Sequence, residues 1–149
     1  MLTIRHILNN NLHHADYVRL HTNASFIVSG EFGFEDGLFS GFDEAGTRYD
    51  KTSWSYERGA DGYVRRDPTL EDPRCAFQLL KKHYDRYTPA MAAQISGCSE
   101  EKFLEMADIV CSTGRADRVG TIMYAVGWTM HTVGSQIIRT AAIMQLLLG

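Results

Sequence analysis

From Val119 the sequence runs through a β-prone stretch, Val119-Gly-Thr-Ile-Met-Tyr-Ala-Val126, a polar turn, Gly127-Trp-Thr-Met-His-Thr132, and an apolar run from Val133 to Leu148. This order narrows the fold more than any other feature, because a strand that empties through a glycine into a helix is the repeating unit of an open α/β domain. Ligands gather at that end of such sheets, where the helix start offers unpaired N–H groups and a partial positive charge. The expected architecture is therefore helix-rich α/β, with one core strand at about 119–126 and five to six helices. Gly127 permits close backbone approach, Trp128 offers a flat stacking face, and Thr129 and His131 offer hydrogen bonds. Gly134, near the helix start, permits close packing or a phosphate. These five residues are the candidate binding site. The rival is an ordinary strand–helix connection whose His and Trp act as structural caps.

Upstream, helices are punctuated clearly. Asp72-Pro73 and Thr88-Pro89 each place a capping side chain before a proline at the first helical position, and a third start lies at Ser99, followed by Glu100 and Glu101. Gly97 and Gly114 are expected to close the second and third helices in the left-handed conformation. The core-facing residues are expected to be Phe77, Leu80 and Tyr84, then Met91, Ala92 and Ile95, then Phe103, Met106, Ala107, Val110 and Cys111. Met1 to Leu8 has helical spacing but no cap ahead of it, and reads as the back half of a longer helix. Asn9-Asn-Asn11 ends that piece. A short helix through Leu12 to Leu20 and an extended piece at Ala24 to Val28 follow.

Between Gly30 and Pro68 the character changes to seven glycines, many acids, and the aromatics Phe32, Phe34, Phe39, Phe42, Tyr49, Trp54, Tyr56 and Tyr63. This is expected to be an ordered insertion packed by its aromatics, with one hairpin in which Trp54 and Tyr56 face Tyr63 across the turn Arg58-Gly-Ala-Asp-Gly62. Its acids, Glu31, Glu35, Asp36, Asp43, Glu44 and Asp50, could do general acid–base work in pairs. No helix or strand fixes their separation, so a solvated loop surface is the expected role.

Other classes of chemistry find little support. The formal charge of −3 comes without a clustered Lys/Arg face, so nucleic acid is not an expected partner. Cys75, Cys98 and Cys111 fit no zinc, iron–sulfur or CxxC spacing and are expected to be plain buried thiols. His13-His14, near Asp16, point to different sides of a helix and read as a solvated helix start, while His6, His21 and His83 lack a companion ligand. No catalytic or metal-ligating residue is assigned. Val133 to Leu148 carries Arg139 and Gln145 and falls short of the roughly 18–20 residues that span a bilayer. No basic stretch followed by an apolar one is seen at residue 1, so neither a secretory leader nor a transmembrane segment is expected.

Short runs in order carry a resemblance: Tyr17-Val18, Thr22-Asn-Ala-Ser25, Phe34-Glu-Asp-Gly-Leu-Phe-Ser-Gly41, Tyr49-Asp-Lys-Thr-Ser-Trp54, Pro73-Arg-Cys75 and Gln78-Leu-Leu-Lys-Lys-His83. They continue through Arg86-Tyr-Thr-Pro89, Tyr124-Ala-Val-Gly-Trp128, Thr129, His131-Thr132, Val133-Gly134 and Ile138-Arg-Thr-Ala-Ala142. Over nearly its whole length the chain resembles the large catalytic subunit of molybdenum- or tungsten-dependent formate dehydrogenases, of the molybdopterin oxidoreductase family. The resemblance implies that residues 1–149 are a single internal segment of a cofactor-lining α/β domain. The 30–68 insertion is similar to that of the larger respiratory or periplasmic members, which implies a periplasmic parent enzyme.

That parent would oxidise formate to carbon dioxide, passing on two electrons through a molybdopterin guanine dinucleotide with Mo or W. Its iron–sulfur ligands, its catalytic selenocysteine or cysteine and its active-site arginine would lie outside this segment. The remainder of the large subunit and an iron–sulfur electron-transfer subunit would be partners, and the isolated chain would be inactive. By the resemblance, Gly127, Trp128, Thr129, His131 and Gly134 border the pterin or its phosphates. Met130 departs from the usual glutamine, and a thioether cannot donate a hydrogen bond. The alternative expectation is a stand-alone, non-catalytic binding module. Its apolar ends, Met1 to Leu8 and Ile143 to Leu148, would then be exposed and buried in a homo-oligomer.

Overall fold

A computed structural model describes residues 1–35 and 37–149; Asp36, one of the insertion's acids, lies outside the described residues. The described chain forms α1(Leu2–Asn9), α2(Ala15–His21), the short strands β1(Phe34–Glu35), β2(Leu38–Phe39), β3(Phe42–Asp43) and β4(Arg48–Tyr49), and α3(Ala76–Tyr84). Then come α4(Pro89–Ser96), α5(Glu100–Cys111), α6(Val126–Thr129) and α7(Gly134–Leu148). The seven helices exceed the expected five to six because the turn at 126–129 is itself a helical turn. Two compact units result: Met1–Thr22 with Lys81–Gly149, and Asn23–Leu80.

The first unit is helical, and local sequence chemistry sets most of its boundaries. Thr88 accepts a hydrogen bond from the Met91 N–H at 3.3 Å with Pro89 in the first turn, and Gly97 closes α4 at φ 72°. The Ser99 hydroxyl accepts from the Lys102 N–H at 3.3 Å to open α5. The other end of α5 departs from expectation: Ser112 caps it in the right-handed conformation, and Gly114 has no positive φ. Gly114 serves a close approach instead, since a Cβ there would collide with the carbonyl oxygen of Leu12.

The α4–α5 contact closes on Ala92, Phe103 and Ala107, with Leu2 and Leu104 against it. Ile95 and Met106, expected inside, are left exposed. The apolar ends are largely covered, with Met1 and Leu146 left exposed. Ile4, Ile7 and Leu8 of α1 are fully buried, Leu147 and Leu148 of α7 nearly so, and α7 packs against both α1 and α2. The His14 N–H donates to the Leu147 carbonyl at 2.8 Å, pinning the end of α7 to the start of α2. His14 also caps α2 through Nδ1, and His6 Nε2 meets Asp108 Oδ1 at 2.7 Å, tying α1 to α5. These histidines hold helices.

The second unit is built on turns. Of the expected extended piece at 24–28, only residues 26–28 are extended, with isolated bridges Phe26–Arg66, Ile27–Cys75 and Val28–Tyr56, while Ala24 and Ser25 lie in a turn. Because Cys75 is held extended by that bridge, Asp72-Pro73 opens a turn rather than α3, and the Asp72 carboxylate accepts from the Arg74 N–H at 2.7 Å. The insertion holds two antiparallel hairpins where one was expected: Phe34 faces Phe39 in the first, and Phe42 faces Tyr49 in the second. The Arg58–Gly62 turn forms, with a bridge between Arg58 and Val64, but Tyr63 projects into solvent away from Trp54 and Tyr56. Arg74 Nη2 donates to the carbonyls of Val28, Ser29 and Phe32, so one guanidinium fastens that loop.

Asp67 organises the turn that follows the insertion. Its carboxylate accepts from the Thr69 N–H (2.8 Å), the Thr69 hydroxyl (2.6 Å) and the N–H groups of Glu71 and Asp72 (2.7 Å each). These donors pull its pKa down to about 2 and hold Leu70 at φ 61°, a conformation costly for a branched residue. A depressed carboxylate stabilises the fold above its unfolded pKa of 3.8, and that contribution disappears as pH falls through about 2. Asp67→Ala is expected to destabilise the protein by about 1–2 kcal/mol at neutral pH. Urea melts at pH 7 and pH 2 check this, because the difference between variant and wild type should shrink in acid.

Candidate functional site

Residues 119–125 carry neither strand nor helix, which corrects the expected core strand. A β-prone stretch becomes a strand only by pairing, and the described strands and bridges all lie within residues 26–75. One tether to α7 holds the stretch, from Gln145 Nε2 to the Gly120 carbonyl at 2.9 Å. Gly120 in turn sits against the Thr113 side chain.

The predicted turn is tighter than expected. Trp128 N–H donates to the Ala125 carbonyl at 3.0 Å and Met130 N–H to that of Val126 at 3.0 Å, which makes the single turn α6. His131 N–H then donates to Trp128, and Gly134 N–H to His131 at 2.9 Å, feeding the chain into α7. Gly134 is buried, and a Cβ on it would sit 2.5 Å from the Trp128 carbonyl oxygen and 3.0 Å from that of Thr129. The close-packing role expected of this glycine is thus internal, between α6 and α7. Gly127 is the opposite case, with nothing within 4 Å of a Cβ, so its backbone is open to solvent.

Trp128 stacks on Tyr124 with ring centroids 5.2 Å apart and planes 10° from parallel. Tyr124 belongs with the candidate residues although the pattern gives it to the strand; the aromatic pair four residues apart is the signal that marks it. His131 is exposed, and the Thr129 hydroxyl reaches the Val126 carbonyl at 3.5 Å. Around them Val119, Met123, Val126, Met130 and Val133 are all exposed, Met123 to 90% and Met130 to 81%. A stacked aromatic pair amid this much uncovered apolar surface, with open backbone at Gly127, is a surface built to be covered by something.

Elsewhere, titratable groups mostly serve structure. Burial pushes the Cys111 thiol up to about 11, aided by Asp108, and burial raises Cys75. Cys98 is exposed, contrary to the expectation of three buried thiols, because it sits in the turn after Gly97. Burial, with the nearby Lys81 charge, lowers His13. A cleft of about 420 Å³ lies beside Leu12, His13, Asp108, Cys111 and Arg115. Among the described residues no three His, Cys, Asp or Glu side chains are grouped to hold a metal ion. Among the described residues the insertion's acids do not converge: Asp43 pairs with Arg48 at 3.5 Å and Asp50 accepts from the Thr52 N–H at 3.0 Å. No helix among the described residues is long and apolar enough to cross a membrane.

No protein-family model matches the chain. Among curated proteins it is 50% identical over 146 residues, 98% of its length, to formate dehydrogenase 2 subunit alpha (cytochrome c-553) of Nitratidesulfovibrio vulgaris. It is 49% identical over 146 residues to the nitrate-inducible formate dehydrogenase major subunit of Escherichia coli, and 43% identical over 149 residues to the formate dehydrogenase major subunit of Haemophilus influenzae. In each case the chain spans 14% of the relative's length. At this identity over nearly all of its residues, the chain is a homologue of one segment of formate dehydrogenase large (alpha) subunits.

Proposed function

We propose that this chain supplies part of the cofactor-pocket wall of a formate dehydrogenase large subunit, within a molybdopterin oxidoreductase α/β domain. The observation that carries this reading is the uncovered face at 119–133, with its parallel Tyr124–Trp128 pair. The residues fit a large, flat, phosphate-bearing group: an aromatic surface for stacking, a polar tip at His131, a hydroxyl at Thr129, and a backbone at Gly127 that nothing crowds. Gly134 locks α6 onto α7 and so fixes where that surface stands. When bound, a molybdopterin guanine dinucleotide would supply the metal that accepts two electrons from formate. The residues of this segment would bind and orient it and exclude water. Met130, which is exposed, adds apolar contact in place of an amide.

The test exchanges this chain for the matching segment of the 49% identical Escherichia coli major subunit. The chimera should reduce an artificial acceptor with formate, and Trp128→Ala in it should lower both activity and pterin content by about tenfold or more. Leu20→Ala, on exposed surface of α2, should change neither. The isolated chain should show no formate oxidation. An inactive chimera, unchanged pterin content in Trp128→Ala, or turnover by the isolated chain would overturn the reading.

One observation favours a stand-alone binding module instead: α1 and α7 pack together and bury Ile4, Ile7, Leu8, Leu147 and Leu148 within one unit. A chimera that binds no cofactor, alongside a monodisperse isolated chain, would decide for that module.

A further inference from the structure

Burial divides the sulfur chemistry of this chain, which carries three cysteines and six methionines. Cys75 and Cys111 are buried, and burial raises both thiols, Cys111 to about 11. The thiolate is the form that a peroxide oxidises, so these two are poor targets. Methionine has no proton to lose, and exposure of its sulfur sets how fast it reacts. Met91 and Met144 are part-buried on α4 and α7, while Met1 and Met106 are half exposed, at 52% and 44%. Met123 and Met130 stand apart at 90% and 81%.

Their positions are a second observation. Met123 immediately precedes Tyr124 and Met130 closes α6, so the two thioethers bracket the Tyr124–Trp128 stack along the chain. Residues 119–125 form neither helix nor strand, and no paired neighbour covers Met123. The Met130 N–H is turned inward to the Val126 carbonyl at 3.0 Å, while its side chain is open to water. A thioether lone pair attacks the terminal oxygen of a hydroperoxide: an S–O bond forms, the O–O bond breaks and the sulfur gives up two electrons. The proton of the transferred oxygen goes to the departing oxygen, which leaves as water or an alcohol. Two thiols of a sulfoxide reductase reverse the step, ending as a disulfide with release of water.

We propose that Met123 and Met130 are the sites at which hydroperoxides oxidise this chain, and that a cofactor seated on the 119–133 face shields Met130. On the empty face both sulfurs take up oxygen reversibly. On the filled face the cofactor excludes the peroxide from the Met130 sulfur and keeps that side chain apolar. The shielding rests on the cofactor-wall reading; the assignment of the two sulfurs does not.

Hydrogen peroxide is the probe, applied to the whole chain with the exposed Cys98 alkylated beforehand. Chymotrypsin cuts after Tyr124 and so separates Met123 from Met130 for peptide mass spectrometry. Peptides holding Met123 and Met130 should each gain one oxygen at least about fivefold faster than those holding Met91 and Met144, with Met1 and Met106 between. Methionine sulfoxide reductase with a dithiol should return both peptides to their starting mass. In the pterin-loaded chimera Met130 should be oxidised at least about tenfold more slowly than in the isolated chain. Oxidation of Met91 or Met144 as fast as Met130, or sulfoxides that resist the reductase, would overturn the assignment. Oxidation of Met130 in the loaded chimera at the isolated chain's rate would overturn the shielding. The wall reading is decided separately, by the pterin content of Trp128→Ala, so the two can fail independently.

Discussion

Ile7→Ala is expected to cost about 2–5 kcal/mol of stability, since it removes three carbons from a fully buried site that the surrounding helices cannot collapse to fill. Ile7 lies one turn from Ile4, beside Leu8, and all three are sealed in a unit where α7 packs on both α1 and α2. The His14–Leu147 backbone hydrogen bond and the His6–Asp108 pair at 2.7 Å hold that arrangement from two sides. Neighbours so fastened relax little, which places the cost in the upper half of the range. Urea unfolding at pH 7 measures it, with exposed Leu20→Ala as a reference expected to shift stability by less than about 0.5 kcal/mol. A cost for Ile7→Ala below about 1 kcal/mol would mean that α1 is not part of the core.

The same packing shows which parts of the fold were legible in the sequence. Caps are local chemistry, and Thr88-Pro89, Gly97 and Ser99 stand where their side chains and conformational freedom put them. The burial of α1 against α7 depends on residues more than a hundred positions apart, which no local pattern expresses. For residues 119–126 the reverse error arises. Val119, Thr121, Ile122 and Tyr124 have high β-propensity, but propensity records how well side chains fit a sheet and does not supply the neighbouring strand. Asp72-Pro73 fails similarly: the cap is present and used, but Cys75 answers to Ile27, and the helix waits one turn.

The candidate site was legible as chemistry more than as geometry. Glycine, tryptophan, threonine and histidine within eight residues marked a place where backbone is accessible and rings and donors converge, and these residues do lie uncrowded at Gly127 and exposed at His131. The backbone that carries them was not legible, because the one-turn α6 depends on Gly134 fitting beneath the Trp128 carbonyl. Tyr124 escaped because its partner lies in the next element.

Gly114 and Gly97 allow the two reasons for glycine to be separated by experiment. Both follow a helix and both read as left-handed closures. Gly97 is one, at φ 72° with nothing within 4 Å of a Cβ, so its requirement is conformational. There Gly97→Ala should cost about 1 kcal/mol and Gly97→Asn less, because asparagine tolerates the left-handed region. Gly114 has ordinary φ but lies against the Leu12 carbonyl oxygen, with Leu148 Cδ2 3.1 Å and the Cys111 carbonyl oxygen 3.3 Å from the position of a Cβ. The Leu12 obstacle is backbone, which cannot rotate aside, so any side chain must push the α1–α2 link away from the end of α5. Gly114→Ala should therefore cost about 3 kcal/mol, and Gly114→Asn at least as much, with no asparagine rescue. Denaturant melts of the four variants decide it. If asparagine proved milder than alanine at Gly114 as well, the close approach of Leu12 would not be what that glycine serves.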